Sequence, residues 1–422
     1  MLILILFYTF ELMEQNKKPI LFTIFLTVLI DLMGVCIVIP ISAPLLLGTS
    51  SNILPHELSM HTKTIILGLL LGAFPFAQFF GAPILGTLSD RFGRKKILSI
   101  AIFGSCIGYL LFAYGIYTEN IYILFFSRFL DGFTGGNISI INAAIADISE
   151  PSEKSKNFAL VGAAFGLGMI FGPVIGGVLS NPAFHPSFSF ITPYIFAAFL
   201  CLVNLILVLI YFQETLITKS DKKISAFVGF INIKAGLTDP ILKWIFLIAF
   251  FYALGFNCYT QYFQVFMFRK FHFDQTQIAF YFTWVGICIT LSQIFLVRKY
   301  NVKYAPEKVI KYSMILTGVS LLAMILPSNP LLILIITPFI ATGQGFSYPN
   351  ITNIISKNAI DGNQGKTLGI QHSIYACTMI MAPIIASFVD AINIHLPIIL
   401  GSFFIVIAWL IYLMNRKTIA PI

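Results

Sequence analysis

Twelve stretches of predominantly apolar residues, separated by short breaks carrying Lys, Arg, Gly and Pro, dominate this sequence. Each is close to the roughly 20 residues that an α-helix needs to cross the hydrocarbon layer of a membrane. They fall at 20–47, 64–88, 97–117, 121–146, 157–180, 190–213, 242–268, 276–297, 308–327, 331–350, 366–390 and 396–414. A soluble protein would need a polar surface large enough to enclose them. Only 10% of residues are charged against 58% hydrophobic, where soluble domains carry roughly 25% charged residues. The apolar excess therefore faces lipid, and the expected fold class is an all-α integral membrane protein with twelve transmembrane helices.

An even number of spans puts both termini on one side, and Lys and Arg decide which, because short cytoplasmic loops retain positive charge. Twenty-two of the 26 basic residues fall on the side of the termini, whereas Lys63, Arg269 and Lys270 fall on the other and Arg128 lies inside the fourth span. Both termini are therefore expected in the cytoplasm. The formal net charge of +9 would point to nucleic acid in a soluble chain, but here it is a record of topology, and no nucleic-acid partner is expected.

Residues 214–241 form the only long break and divide the spans six and six. The expected organisation is a cytoplasmic segment (1–19), a first six-helix bundle (20–213), a cytoplasmic linker (214–241), a second bundle (242–414) and a tail (415–422). Gly172-Pro173-Val174-Ile175-Gly176-Gly177 recurs as Ala382-Pro383-Ile384-Ile385-Ala386-Ser387, 210 residues later. Small-Pro-x-x-small-small at half the chain length points to a parallel duplication and two pseudo-symmetric bundles. The apolar run Leu2–Phe10 is too short to span and lacks the basic start and cleavage site of a signal peptide. Met13, before Glu14, Gln15, Asn16, Lys17 and Lys18, is read as the native start, so residues 1–12 are a mis-assigned extension.

Ionisable groups at bilayer depth are costly and are functional candidates by default. Asp31, Arg128 and Asp131 qualify. On an uninterrupted helix, Arg128, Asp131, Gly135, Ser139 and Asn142 fall within about 80° of one another, and Asp31, Gly34, Val38 and Ser42 group in the same way. One reading is that the stripes line a central cavity in which Asp31 or Asp131 exchanges a proton. The other is that Arg128 and Asp131, three apart, simply neutralise each other. In the second-half spans, Asn257, Gln261, Gln264, Gln293, Gln344 and Asn350 are candidates for substrate contact, with Asn142 from the first half, or for bonds between helices. Asp390 and His372 sit near opposite ends of span eleven and are read as interfacial. The six cysteines have no metal spacing, and the phosphate loop G-x-x-x-x-G-K-[ST] is absent. No cofactor or metal is expected, and the chain is not read as an enzyme.

The turn after span two reads Gly86-Thr87-Leu88-Ser89-Asp90-Arg91-Phe92-Gly93-Arg94-Lys95-Lys96. Its glycines permit a tight turn between antiparallel helices, and its charges suit the membrane surface. This run resembles the hallmark loop of the major facilitator superfamily. Span five, with Gly162, Gly166, Gly168, Gly172, Pro173, Gly176 and Gly177, resembles the glycine-proline signature of that superfamily's proton-coupled drug exporters. Asp31-Leu32-Met33-Gly34 with Pro40 and Pro44 is similar to their first helix, and Arg128 with Gly132 and Gly136 to their fourth. The nearest likeness is to tetracycline-type exporters. It runs from Asp31 to Glu214 and is thinner beyond, where it rests on Gly343, Gly345, Pro349, Gly365, Gly369 and Pro383.

The resemblance implies that Asp90, Arg91 and Arg94 form a cytoplasmic latch with Asp147, framed by Gly86 and Gly93, that holds the outward-facing state. It also implies that Arg128 sets the proton site and that the glycines of span five are conformational machinery. Two departures limit it. The loop Arg298-Lys299-Tyr300-Asn301-Val302-Lys303 lacks the acid and glycines of a second hallmark loop, and span eight has no histidine. Tetracycline is therefore not the implied substrate. The expectation is a monomeric transporter of the bacterial inner membrane that exports a small amphipathic compound in exchange for protons. The alternative is a proton-coupled uptake symporter for an amino acid, sugar or carboxylate.

Overall fold

The computed structural model describes residues 18–48, 52–150, 153–216, 219, 225–239, 242–358 and 364–419. The expected start at Met13 and the Lys222–Lys223 pair of the expected linker lie outside these residues. In chain order the helices are α1 (Lys18–Leu47), α2 (Met60–Phe92), α3 (Arg94–Tyr117), α4 (Ile121–Thr134), α5 (Ile138–Ile148), α6 (Lys154–Leu179), α7 (Thr192–Tyr211) and α8 (Val228–Thr238). They continue as α9 (Leu242–Phe271), α10 (Gln275–Leu291), α11 (Arg298–Lys303), α12 (Pro306–Ala323), α13 (Leu331–Lys357), α14 (Gln364–Asp390) and α15 (Leu396–Ile419). In lipid every backbone polar group must be satisfied internally, and the helix does this within one segment. Where helices begin in the connections, side chains supply the missing acceptors: Ser59 for α2, Asn120 for α4, and Asp274 with Gln277 as a capping box for α10.

Ten helical stretches among the described residues are long and apolar enough to cross a bilayer: α1, α2, α3, α6, α7, α9, α10 continuing into α11, α13, α14 and α15. Large apolar side chains such as Phe103, Phe126, Phe199, Val319 and Phe403 point outward, as a lipid-facing surface requires. Two of the expected spans depart from this pattern. The fourth is broken into α4 and α5 by a 3₁₀ turn at Gly135–Asn137. Gly132 and Gly136 sit against the backbone of α2 at Phe74 and Ala82, so the helix is drawn onto α2 where paired glycines let it deform. The ninth is the 18-residue α12, whose first turns carry Glu307, Lys308 and Lys311. Its apolar part beyond Lys311 is only about 18 Å long.

The expected linker is also more than a loop, because it contains α8. Gly229 packs on the Phe79 ring, Phe230 lies 5.1 Å from the same ring, and Asn232 Nδ2 donates to Ser373 Oγ at 3.2 Å. Gly236 packs on Ile370 and Phe246. This helix is thus seated between α2 and α14 and reaches α9.

The packing of the long helices repeats. The proline-bearing α6 packs on α1 and α10, while the proline-bearing α14 packs on α9 and α2. Likewise α3 meets α4 and α7, as α12 meets α13 and α15. The α2–α14 and α6–α10 seams are closed tightly at one end. There Thr276 Oγ1 donates to the Gly177 carbonyl (3.2 Å), Asn181 Nδ2 to Thr276 Oγ1 (2.8 Å) and Tyr262 to the Thr64 carbonyl (3.1 Å). Gly68 lies against Ser387 and the Pro383 carbonyl, and Gly177 against Ala279, contacts that no larger residue permits. At the opposite end, a Cβ added at Gly162 of α6 or Gly369 of α14 would meet nothing within 4 Å. Among the described residues, the two seams are tight at the Thr64–Ser387 end, and space is left beside Gly162 and Gly369 at the other.

Candidate functional site

The three ionisable residues singled out at bilayer depth come together, but in two different ways. Arg128 and Asp131 form an ion pair within α4, Nη1 to Oδ2 at 2.9 Å, with the residues 5% and 3% exposed. Arg128 also lies over the Phe74 ring, 4.6 Å from its centroid. Asp131 packs on Gly108 of α3 beside the Ser105–Thr134 hydrogen bond. Asp31 of α1 is half-buried and accepts a 2.6 Å hydrogen bond from Asn137 Nδ2, in the 3₁₀ turn that breaks the fourth span. The two carboxylates are within electrostatic reach of each other and of Tyr109, whose hydroxyl packs on Gly34. Tyr194 is within electrostatic reach of Arg128 and Asp131, and its buried hydroxyl has no hydrogen-bond partner among the described residues.

The expected polar stripes do not survive intact. On α1, Ser42 bonds back to the Val38 carbonyl and Gly34 is covered by Tyr109, which leaves Asp31. Beyond the break, Ser139 donates to the Ala82 and Gly136 carbonyls and faces α2, and Asn142 is half-buried. The chemical capacities of the two acids differ accordingly. Protonating Asp131 would leave the Arg128 guanidinium buried without its counter-charge, a costly outcome. Asp31 makes no ion pair among the described residues. Its partner is a neutral amide, which can donate to a carboxylate or, turned over, accept from a carboxylic acid.

The loop after α2 builds a second charge cluster. Gly93 adopts φ +104°, a conformation open to glycine, and this makes the one-residue turn from α2 into α3. Buried Arg94 then pairs with Asp90 (2.5 Å) and Asp147 (3.1 Å) and donates to Ser89 Oγ. Glu214 accepts from the Arg94 and Lys95 backbone N–H groups at 2.8 and 3.2 Å, so its carboxylate closes the N-terminus of α3. Arg91 is exposed over the Phe92 ring, and Gly86 faces Ser139. Of the expected latch, Asp90, Arg94 and Asp147 meet. Their partners all come from α2, α3, α5 and the segment after α7, at the open end of the molecule.

Gly168, Gly172 and Gly176 of α6, around Pro173, lie against the α1 backbone between Leu32 and Ile37, and Gly177 lies against α10. Gly162 and Gly166 face open space and Thr290. The six second-half amides separate similarly. Gln344 lines a narrow cleft with Tyr252, Phe256, Tyr348, Gln371 and Tyr375, and accepts from Tyr252 at 2.7 Å. The cleft has about 10 Å³ of free room, roughly one water. The others bond elsewhere: Asn257 to Thr378, Gln261 to the Met379 carbonyl, Gln264 to the Gln261 carbonyl, Gln293 to the Gly345 carbonyl, and Asn350 to Asn301. Asp390 is buried and paired with Arg269.

Sequence reasoning missed Asn137, Tyr109, Glu214 and the tyrosines of the cleft. Asn137 was the recoverable one, as an amide at bilayer depth beside a Gly-Gly pair that can break a helix.

The chain matches the family model of the Major Facilitator Superfamily over residues 21–370 and 245–421. It belongs to that superfamily. It is 28% identical over 382 residues to the class H tetracycline resistance protein of Pasteurella multocida, covering 88% of this chain and 89% of that one. It is 26% identical over 398 residues to multidrug resistance protein 2 of Bacillus subtilis (strain 168), covering 93% and 94%. Among solved structures, a bacterial homologue of the human lysosomal transporter Spinster, inward-facing and unoccupied, superposes with a TM-score of 0.75 at 13% identity, covering 97% of this chain and 100% of that one. This major facilitator protein is thus a multi-pass membrane transporter of a non-enzymatic class, related to bacterial drug-resistance transporters.

Proposed function

We propose that this protein is a proton-coupled antiporter that exports a small amphipathic compound across the bacterial inner membrane. The observation that carries this reading is the Asp31–Asn137 contact, a half-buried carboxylate at bilayer depth held by an amide that serves both of its protonation states. Arg128 and Asp131 form a fixed charge pair beside it that sets the local field. The repeated packing of α6 and α14 supports two related six-helix bundles, 20–213 and 242–414, with α4–α5 and α12 completing twelve spans. The basic residues support a cytoplasmic position for the open end and both termini, and on that reading the structure is inward-facing. Closing α6 on α10 and α14 on α2 at the open end, while the sealed end parts, exposes the same site to the other side. The aromatic and amide cleft around Gln344 is the substrate's contact surface in the second bundle, and it widens to admit ligand. One charge crossing 100 mV gains about 2.3 kcal/mol, enough for about fortyfold concentration per proton.

The test is a screen of antibiotics, siderophores and amino acids on acid-loaded everted vesicles that contain the protein. A transported compound is expected to release protons from the lumen. A compound that acidifies the lumen further would make the protein an uptake symporter and overturn the export reading.

A further inference from the structure

The basic loop after span eight, which has no place in the transport mechanism, frames a second cavity. The helix of α10 does not run on regularly: Ser292–Val297 forms a wider π-helical turn before α11, a feature often found at functional sites. Between this turn, α12 and α13 lies a groove of about 360 Å³. Leu296, Leu316 and Phe346 give it an apolar interior, and Tyr300, Tyr304 and Tyr312 stand along it. Three ammonium groups gather at the same tyrosines. Lys303 and Lys308 lie 5.6 and 5.2 Å from the Tyr304 ring centroid, and Lys311 lies 5.4 Å from that of Tyr312. The only acid between Arg298 and Lys311 is Glu307, whose backbone carbonyl accepts from the Tyr412 hydroxyl of α15 at 2.7 Å and which is not in the lining of the groove. Among the described residues no acid lines the groove.

An apolar trough on a lipid-facing surface, with tyrosines along it and lysines beside it, matches one amphiphile in charge and polarity. We propose that the groove is a binding site for an anionic phospholipid of the cytoplasmic leaflet. One acyl chain lies against Leu296, Leu316 and Phe346, the ester region lies at the tyrosines, and the phosphate is held by Lys303, Lys308 and Lys311. Basic pockets between helices on the cytoplasmic side suit such headgroups, and the tyrosines, apolar in body and polar at the tip, suit the interface. The proposal rests on the orientation given above, but not on the transported compound or the role of Asp31.

The test is native mass spectrometry of the purified full-length protein exposed to equal amounts of phosphatidylglycerol and phosphatidylcholine. The protein is expected to retain one phosphatidylglycerol with about tenfold preference. The triple variant Lys303→Gln, Lys308→Gln, Lys311→Gln is expected to lose that preference, and the corresponding triple Arg variant to keep it. Leu316→Trp, which fills the trough, is expected to abolish retention of either lipid, with folding checked by its thermal melt. Excess inorganic phosphate is expected to leave the lipid in place. An unchanged preference in the triple Gln variant, or displacement by phosphate alone, would overturn the proposal. Failure of proton release in vesicles would leave these results intact.

Discussion

At the scale of single residues, the account turns on which acid is free to change its charge. Both were legible in the sequence as ionisable groups in apolar spans, but their difference was not, because it depends on partners drawn from other helices. On a continuous helix Asn137 lies about 120° from Asp131, away from the stripe. The 3₁₀ turn at Gly135–Asn137 lets its amide reach Asp31 across to α1. Tyr109 was hidden in the same way, since a tyrosine in an apolar span reads as core until Gly34 is found beneath its hydroxyl. A hydrogen bond to a charged group contributes about 1.5–3 kcal/mol. Asn137→Ala is therefore expected to lower proton-driven transport at least tenfold while leaving the amount of folded protein in the membrane unchanged. Wild-type rates in vesicles would show that the Asp31–Asn137 bond is only structural.

At the scale of elements, hydropathy located most of the helices and missed what bends or joins them. Twenty apolar residues fix the existence of a span. They do not say that Gly132 and Gly136 will be pulled onto the α2 backbone until the fourth helix breaks, nor that charge in the first turns of α12 shortens its apolar part. The expected linker shows the same limit. Its Lys and Asp residues read as a solvated loop, yet Val228–Thr238 is a helix whose glycines fit against Phe79, Phe246 and Ile370. Seated between α2 and α14, α8 occupies space that the two helices would cross in the proposed alternating-access cycle. A disulfide between Asn232→Cys and Ser373→Cys, in a background without the native cysteines, is expected to arrest turnover, with recovery on reduction. Full transport by the oxidised protein would show that α8 does not have to move.

At the scale of the whole molecule, the apolar stretches made the class readable at once, because lipid admits so few backbone solutions. The duplicated Gly-Pro run around Pro173 and Pro383 also foreshadowed the packing, since the two helices that carry it hold equivalent places. The state of the molecule was not readable. That the Arg94 cluster is assembled while Gly162 and Gly369 face open space is a fact of packing between distant helices.

The central claim is that Asp31 carries the proton that drives export. The most direct measurement compares two activities of Asp31→Asn in the same vesicles: transport driven by a proton gradient, and exchange of labelled for unlabelled substrate at equilibrium without one. The account predicts that gradient-driven transport is lost while exchange persists, because the neutral amide leaves the cavity able to bind and turn over but removes the titrating group. Gradient-driven transport at the wild-type rate would contradict it.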